Sequence, residues 1–360
     1  MLVLLWAGVV AYIVFAAMRV RTQLAQKTVK RLTIQVADSS MHGQLVSSQQ
    51  VSEWLSRSGI HTLGRSYKSV DLAGIEALIA RNGFVDRVNA YLTYGGELHI
   101  DVSQRRPVVR MLTDSVDFYL TSDGYAFPPP RSSALYVPII TGSYHPPFPT
   151  AHAGSVRRYI DQEKRRIDQH IAQIEQEKYP FYRRERTNDE NIRALRRLRI
   201  KKGWFESDEA FEERLQKLRA EKITRRRSYR YEEHLVEAGI AAVEAKQAAE
   251  RNKQKKLEKN YEDFSKLITF VKSIEKSPFW QAEVVQIVAS TSVSGELEVE
   301  LIPRSGNHRI LFGRIENVER KFEKLLRFYR CGLDNLGWDS YRTIDVRYAD
   351  QVVCVKNKTR

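Results

Sequence analysis

Hydrophobic and polar positions along residues 32–102 predict a small sheet with two helices packed on it. Three segments alternate apolar and polar residues, as half-buried strands do, and two carry apolar stripes at helical spacing. The predicted strands are residues 32–36, 85–93 and 98–102, and the predicted helices are residues 48–55, capped by Ser48, and 70–80. Gly95-Gly96 is typical of a hairpin turn. Two helices on one face of such a sheet bury one core.

The pattern changes twice further along the chain. Short apolar strands are predicted at residues 108–112, 118–120 and 134–140, before a proline-rich loop over residues 143–149. A highly charged helical zone follows, and then strands return with one amphipathic helix at residues 318–329. The strands predicted in this last zone are residues 282–289, 297–301, 310–312, 343–346 and 351–356.

Charged residues dominate the middle zone. Residues 151–276 contain 32 Lys+Arg and 23 Asp+Glu. Apolar residues keep helical or heptad spacing through residues 160–174, 192–198, 211–218 and 257–271. Ser207, followed by Asp208 and Glu209, is typical of a helix start, because carboxylates are favourable at the positive end of the helix dipole. The zone predicts a long antiparallel helical hairpin with smaller helices at its tip.

The first segment of the chain predicts a membrane anchor. Residues 2–18 contain no charged side chain and, as a helix, approach the thickness of a bilayer core. A cleaved signal peptide, which here would lack a basic start, and a buried helix are the alternatives. Five basic residues follow the segment, and the positive-inside rule would then place the rest of the chain in the cytoplasm. These residues are Arg19, Arg21, Lys27, Lys30 and Arg31.

Composition narrows the class of protein further. A hydrophobic share of 42% excludes wholesale disorder, and a net charge of +15 suits an anionic partner. Only two cysteines are present, Cys331 and Cys354, which excludes a disulfide scaffold and a four-cysteine zinc site. One disulfide and two separate thiols both stay open.

The sequence predicts a protein that is not an enzyme. It contains no phosphate-binding glycine loop, zinc-protease motif, nucleophile elbow or dinucleotide-binding motif. Its eight histidines do not pair at metal-ligand spacing on a predicted helix. Carboxylates of the middle zone lie among Lys and Arg, as solvated ion pairs do. We therefore expect no cofactor, no metal ion and no small-molecule substrate.

The zones outside the charged region resemble the bacterial cell-division proteins of the FtsQ/DivIB family. Residues 70–88 are similar to the second helix and following strand of that family's POTRA domain. Arg105-Arg106-Pro107 is similar to a Glu-Arg-x-Pro signature, although Gln104 stands where the family usually has glutamate. Further similar segments are residues 98–108, 123–127, 137–142, 312–313, 318–329 and 344–348. No single motif is strong, but their order is that of the family.

The resemblance implies an α+β fold with a transmembrane helix, a POTRA-like β-α-α-β-β domain and a mixed or antiparallel β-domain. It implies a single-pass inner-membrane scaffold with its bulk in the periplasm at the division septum. Expected partners are FtsB/DivIC-like and FtsL-like membrane proteins. The lipid bilayer is a further partner, which the chain contacts through its N-terminal helix. The segments are an anchor (1–18), a basic juxtamembrane linker (19–31), the POTRA-like domain (32–107), the first part of the β-domain (108–142), a charged helical insert (143–276) and the second part (277–360). The basic residues after the anchor and the insert depart from the family pattern.

Partner binding is expected at the last strands, because the resemblance implies that their edge accepts a partner strand. The candidate residues are Tyr348, Asp350, Gln351, Val352, Val353, Cys354 and Val355. The alternative is that residues 352–355 form a buried core strand.

The insert allows two interpretations. One is a solvated helical hairpin, and the other is an anion-binding face. In a periplasm the anion would be a lipid headgroup or a wall polymer; in a cytoplasm it would be RNA or DNA, with Tyr229 and Tyr231 available for stacking. The candidate anion-binding residues are Arg225, Arg226, Arg227, Arg230, Lys253, Lys255 and Lys256.

Two other functions stay open at this stage. A membrane-anchored, cytoplasm-facing nucleic-acid binder would explain the basic insert and the charges after the anchor. A POTRA chaperone for outer-membrane proteins is the other, but the chain has no tandem POTRA repeats and no barrel-like C-terminus. A topology reporter fused after Arg360 separates the periplasmic scaffold from the nucleic-acid binder.

Overall fold

A computed structural model describes residues 6, 11–15, 27–37, 45–113, 116–129, 135–333, 337–338 and 340–357. Most of the predicted anchor, residues 1–18, lies outside this set. Among the helices that are described, none has the length and apolar character needed to cross a bilayer.

The first domain has the predicted order of strand, helix, helix, strand, strand. Its elements are β1 (Arg31–Ala37), α1 (Ser48–Arg57), α2 (Leu72–Ala80), β2 (Val85–Leu92) and β3 (Glu97–Gln104). β3 is the central strand, parallel to β1 and antiparallel to β2. The predicted β-α-α-β-β fold is therefore confirmed.

Side-chain caps explain where the helices of this domain begin. The α1 cap is Ser47, one residue before the predicted Ser48, and Ser47 and Gln50 form a reciprocal capping box. Asp71 caps α2 by accepting a hydrogen bond from the Gly74 amide at 2.9 Å. Gln104, at the end of β3, is buried and its Oε1 accepts hydrogen bonds from the amides of Leu45 and Val46.

Among the described residues, ten strands form one mixed sheet after the first domain. They are β4 (Pro107–Thr113), β5 (Val116–Thr121), β6 (Tyr125–Phe127), β7 (Ile139–Thr141), β8 (Gly154–Ser155), β9 (Val284–Thr291), β10 (Leu297–Pro303), β11 (Arg309–Arg314), β12 (Tyr341–Asp345) and β13 (Val353–Lys356). Their order is β13-β12-β11-β10-β9-β7-β4-β5-β6-β8. β7 lies between β4 and β9 and is parallel to both, so it joins strands from before and after the charged zone.

The first domain and this sheet share a hydrophobic core. Tyr119, Phe127 and Leu135, from the region after β4, are buried in the same cluster as the apolar residues of α1, α2 and β3. The Arg105 guanidinium lies 3.6 Å from the Tyr125 ring centroid. Residues of the two domains are therefore packed together rather than joined only by the chain.

The described residues contain five more α-helices, and one of them is unusually long. They are α3 (Val156–Gln176), α4 (Tyr179–Arg197), α5 (Asp208–Glu275), α6 (Pro278–Glu283) and α7 (Val318–Phe328). The start predicted at Ser207 is confirmed, since the Ser207 hydroxyl accepts a hydrogen bond from the Ala210 amide. We predicted shorter helices here, but α5 is continuous over 68 residues. Its sequence has no proline and a single glycine to interrupt it.

The chain divides into two compact units. The second unit is residues 158–262, and the first contains the rest of the chain. Within the second unit, α5 runs antiparallel to α3 and α4, as the predicted hairpin requires. The Lys164–Glu258 pair (2.8 Å) joins α3 to α5, and the Arg184–Glu232 pair (2.6 Å) joins α4 to α5.

The last turns of α5 belong to the first unit, although we predicted the insert to extend to residue 276. Their buried apolar residues are Phe264, Leu267, Ile268, Phe270, Val271 and Ile274. Phe270 packs with Phe312 of β11 and Phe322 of α7, at ring-centroid distances of 4.9 and 5.8 Å. Trp280 lies 4.9 Å from Phe322 and extends the same aromatic cluster.

Candidate partner-binding edge

The last strand of the chain lies at one edge of the ten-stranded sheet. β13 pairs antiparallel with β12, and within the described residues no strand pairs with its other side. β12 is held in place by parallel pairing with β11. The edge strand is therefore supported on one side and open on the other.

Backbone alternation determines which groups of β13 face the open side. The Asn357 amide donates a hydrogen bond to the Ser340 carbonyl oxygen at 3.0 Å, so it faces β12. The register irregularity of this pair falls on β12, between Tyr341 and Thr343. Because N–H and C=O groups alternate in direction along a strand, those of Cys354 and Lys356 point to the open side. They are available to another strand.

Side-chain exposure at this edge agrees with an open surface. The exposed fractions are 49% for Tyr348, 40% for Val353 and 55% for Val355. Cys354 is half-buried, and burial raises the pKa of its thiol. Residues 352–355 are thus not the buried core strand that the sequence left as an alternative. Tyr348, Asp350 and Gln351 lie in the loop before β13, since the strand begins at Val353 rather than at residue 351.

Basic side chains of α7 hold the loop between β12 and β13. The Arg320 Nη2 atom lies 2.7 Å from the Asp350 Oδ1 atom. Lys324 Nζ donates to the carbonyl oxygen of Val346 at 3.0 Å and to that of Tyr348. Burial lowers the pKa of the Lys324 ammonium group. These contacts fix the path of the chain into the edge strand.

A buried carboxylate at the end of β12 holds the first residues of the same loop. Asp345 is 7% exposed and accepts hydrogen bonds from the Arg347 amide (3.0 Å), Nε (3.0 Å) and Nη2 (2.6 Å). Burial alone would raise the pKa of Asp345, but the hydrogen bonds from Arg347 outweigh it, and the pKa lies below its ordinary value. The Arg347 side chain lies across Gly313, whose φ is +69° and where a Cβ would come within 2.7 Å of Arg347 Cγ.

Replacing Asp345 by asparagine is expected to lower the free energy of unfolding by about 1–3 kcal/mol at pH 7. The folded-state pKa of Asp345 is depressed, so ionised Asp345 stabilises the fold above the unfolded-state pKa of about 4. That stabilisation is lost as the pH falls from there through the folded-state pKa. Urea denaturation between neutral and acidic pH should therefore show a smaller loss of stability in Asp345→Asn than in the wild type.

Asp350→Asn is the control for this prediction. Asp350 is in the same segment, but its pair with Arg320 is solvent-exposed, so its removal should change the unfolding free energy by less than about 1 kcal/mol. Equal effects of the two substitutions would contradict the role assigned to Asp345.

Sequence reasoning missed the residues that support the edge. α7 was predicted from its apolar stripe, and Arg320 and Lys324 on its polar side were not singled out. Lys324 donates hydrogen bonds to backbone carbonyl groups. Because every residue has such a group, the sequence does not identify these acceptors. The only available signal was the i, i+4 spacing of Arg320 and Lys324 on one helix face.

The seven predicted anion-binding residues do not form one site. All lie on α5, but Lys253 is 23 positions after Arg230, which is about 35 Å along a helix. Arg225 pairs with Glu221, and Lys253 pairs with Glu250 at 2.7 Å. The residues therefore divide into two patches: Arg225, Arg226, Arg227 and Arg230 in one, and Lys253, Lys255 and Lys256 in the other.

The two cysteines are not joined to each other. Cys331 is exposed in the π-helical turn Tyr329–Leu333, and Cys354 is half-buried in β13. The sequence left open one disulfide or two separate thiols, and the structure has two separate thiols.

A small β-α-α-β-β domain with the strand order of a POTRA-like domain is followed by a larger sheet that ends in an open strand. Two family models match the chain: a POTRA-like domain over residues 27–103, and FtsQ/DivIB, C-terminal related, over residues 245–355. These matches support the predicted resemblance to the FtsQ/DivIB family, and the two domains together suggest a division-related scaffold. A search of curated proteins found no match.

Proposed function

We propose that the protein is a non-catalytic, membrane-anchored scaffold that binds FtsB/DivIC-like and FtsL-like proteins by strand addition to β13. Its N-terminal helix holds it in the inner membrane, and its bulk lies in the periplasm at the division septum. The observation that supports this proposal is the open edge of β13, with the backbone groups of Cys354 and Lys356 directed outward.

An open edge strand favours this mode of binding for a physical reason. Its outward N–H and C=O groups form hydrogen bonds with any extended segment, and the side chains beside them select which segment fits. Val353 and Val355 are exposed on one face of β13, and Cys354 lies on the other. An apolar, extended segment of the partner fits the valine face.

The contacts that hold β13 and the preceding loop reduce the conformational entropy lost on binding. Lys324 and Arg320 fix the preceding loop, and Asp345 and Arg347 fix the end of β12. Because the strand is already ordered, less conformational entropy is lost when the partner binds. The edge therefore acts as a preformed template.

Replacing Lys356 by proline is expected to weaken partner binding at least tenfold. Proline removes an N–H group that faces the open side, and it leaves the hydrogen bonds of β13 with β12 in place. The measurement is the Kd of the full chain for an FtsB/DivIC-like segment, determined by titration.

Lys356→Ala is the matched control, because it removes the same charge and keeps the amide. It should bind like the wild type, and both variants should show the wild-type melting temperature within a few degrees. A folded Lys356→Pro protein with unchanged Kd would show that β13 does not receive the partner strand. Charged substitutions at Val353 and Val355 test the side-chain contribution to the same binding.

A further inference from the structure

Positive charge is concentrated at the turn between α4 and α5. Residues 193–230, here called the basic tip, contain 14 Lys+Arg and 6 Asp+Glu, a net charge of +8. This is more than half of the net charge of the chain in about a tenth of its length. All of these residues belong to the second compact unit.

Much of this positive charge is not neutralised by neighbouring carboxylates. Four of the six acidic residues pair with basic residues of the tip itself, namely Glu206, Asp208, Glu213 and Glu221. In the part of the chain that the structure describes, several exposed basic residues have no carboxylate within ion-pair distance. They include Arg193, Arg196, Arg197, Arg199 and Lys201.

Large apolar side chains are exposed among these charges. Trp204 is 94% exposed and Phe205 is 97% exposed, next to each other in the turn. Leu198 and Ile223 are also exposed. Lys222 Nζ donates a hydrogen bond to the Leu198 carbonyl oxygen, which places this part of α5 beside the end of α4. Two adjacent and almost fully exposed aromatic side chains among positive charges indicate a surface that is covered in use.

We propose that the basic tip binds the surface of an anionic lipid bilayer, with Trp204 and Phe205 inserted at the headgroup level. Tryptophan is favourable at that depth, and the surrounding Lys and Arg attract anionic headgroups. Nucleic acid would also attract the positive charge and stack on the aromatic rings. It stacks on a ring face but offers no apolar environment for the rest of the Trp204 and Phe205 side chains, whereas the acyl boundary of a bilayer does.

Fluorescence of Trp204 in the full chain tests the proposal. The protein is reconstituted into liposomes that contain brominated lipid, and the emission of Trp204 is taken as the difference between wild type and Trp204→Phe. Quenching is expected in mixtures of phosphatidylglycerol and phosphatidylcholine, and it should weaken with salt because the attraction is electrostatic. No quenching is expected in pure phosphatidylcholine.

Charge variants test whether lipid binding depends on the basic tip rather than on positive charge elsewhere on α5. The triple variant Arg196→Gln, Arg197→Gln, Arg199→Gln should reduce the ratio of lipid-bound to free tip at least about tenfold. The matched control Lys253→Gln, Lys255→Gln, Lys256→Gln removes the same charge from α5 outside the basic tip and should leave the quenching unchanged. Circular dichroism checks that both variants keep the wild-type helix content.

Three results would overturn the proposal. One is Trp204 emission that stays open to aqueous iodide in anionic liposomes and is not quenched by brominated lipid. Another is an equal loss of quenching in both triple variants, which would indicate a general charge effect. The third is a Trp204 response to a single-stranded RNA oligonucleotide with no response to lipid, which would make nucleic acid the partner.

Discussion

Phe270→Ala is expected to lower the free energy of unfolding of the first compact unit by about 4 kcal/mol. Phe270 is fully buried, and its ring contacts those of Phe312 and Phe322. Removing it leaves a cavity between the last turns of α5, β11 and α7. Urea denaturation of the full chain, followed by circular dichroism, measures the change.

Ile223→Ala is the control on the same helix. Ile223 is 54% exposed, so its truncation should change the unfolding free energy by less than about 0.5 kcal/mol. A loss below about 1 kcal/mol for Phe270→Ala would show that the end of α5 does not stabilise the sheet. That result would favour the predicted insert boundary at residue 276.

The boundary of the insert was difficult to predict because α5 has no break. Its heptad-like stripe at Phe264, Ile268 and Val271 continues the pattern of the solvated hairpin, which hides the change of environment. The signal that was present is the width of the apolar face. Leu267, Phe270 and Ile274 add apolar residues on a second side of the helix, and all three are buried. A helix with an apolar face this wide packs into a core.

The first domain could be predicted almost completely because its elements are defined locally. Alternation gives β1, β2 and β3, the apolar stripes give α1 and α2, and the glycine turn gives the hairpin. Each signal covers fewer than a dozen residues and needs no knowledge of distant partners.

The pairing of the larger sheet depends on contacts that no local pattern contains. β7 has three residues where we predicted seven over residues 134–140, and it is held by β4 on one side and β9 on the other. More than 140 residues lie between β7 and β9. Only the family resemblance indicated that the two halves form one domain.

The position of the candidate edge was predicted, but the side chains that hold it in place were not. The resemblance indicated the last strands, and the apolar run at residues 352–355 lies within the strand predicted over residues 351–356. Hydrogen bonds such as those from Lys324 to loop carbonyl oxygens depend on the tertiary placement of α7. The exposure of Trp204 and Phe205 was equally hidden, because an aromatic pair in a sequence is more often part of a core.

Gly142→Ala is expected to cost about 4 kcal/mol of unfolding free energy, because it adds backbone strain to a steric overlap. Gly142 follows β7 with φ at +108°, a conformation that L side chains rarely adopt. A Cβ on Gly142 would overlap the carbonyl oxygen of Ala289 in β9 and lie 3.1 Å from its carbonyl carbon. The same oxygen accepts a hydrogen bond from the Tyr144 amide at 3.2 Å, so the chain turns tightly around it.

Gly59→Ala is the control that separates the backbone strain of a positive φ from the steric overlap with Ala289. Gly59 also has a positive φ, +72°, but a Cβ there would meet no atom within 4 Å. Its substitution should cost only about 1 kcal/mol, the strain of the left-handed conformation. Parallel urea denaturation of the two variants measures the difference of about 3 kcal/mol that the overlap with Ala289 predicts. Equal costs would mean that β7 and β9 move apart easily, and the parallel pairing that joins the two halves of the sheet would then contribute little to its stability.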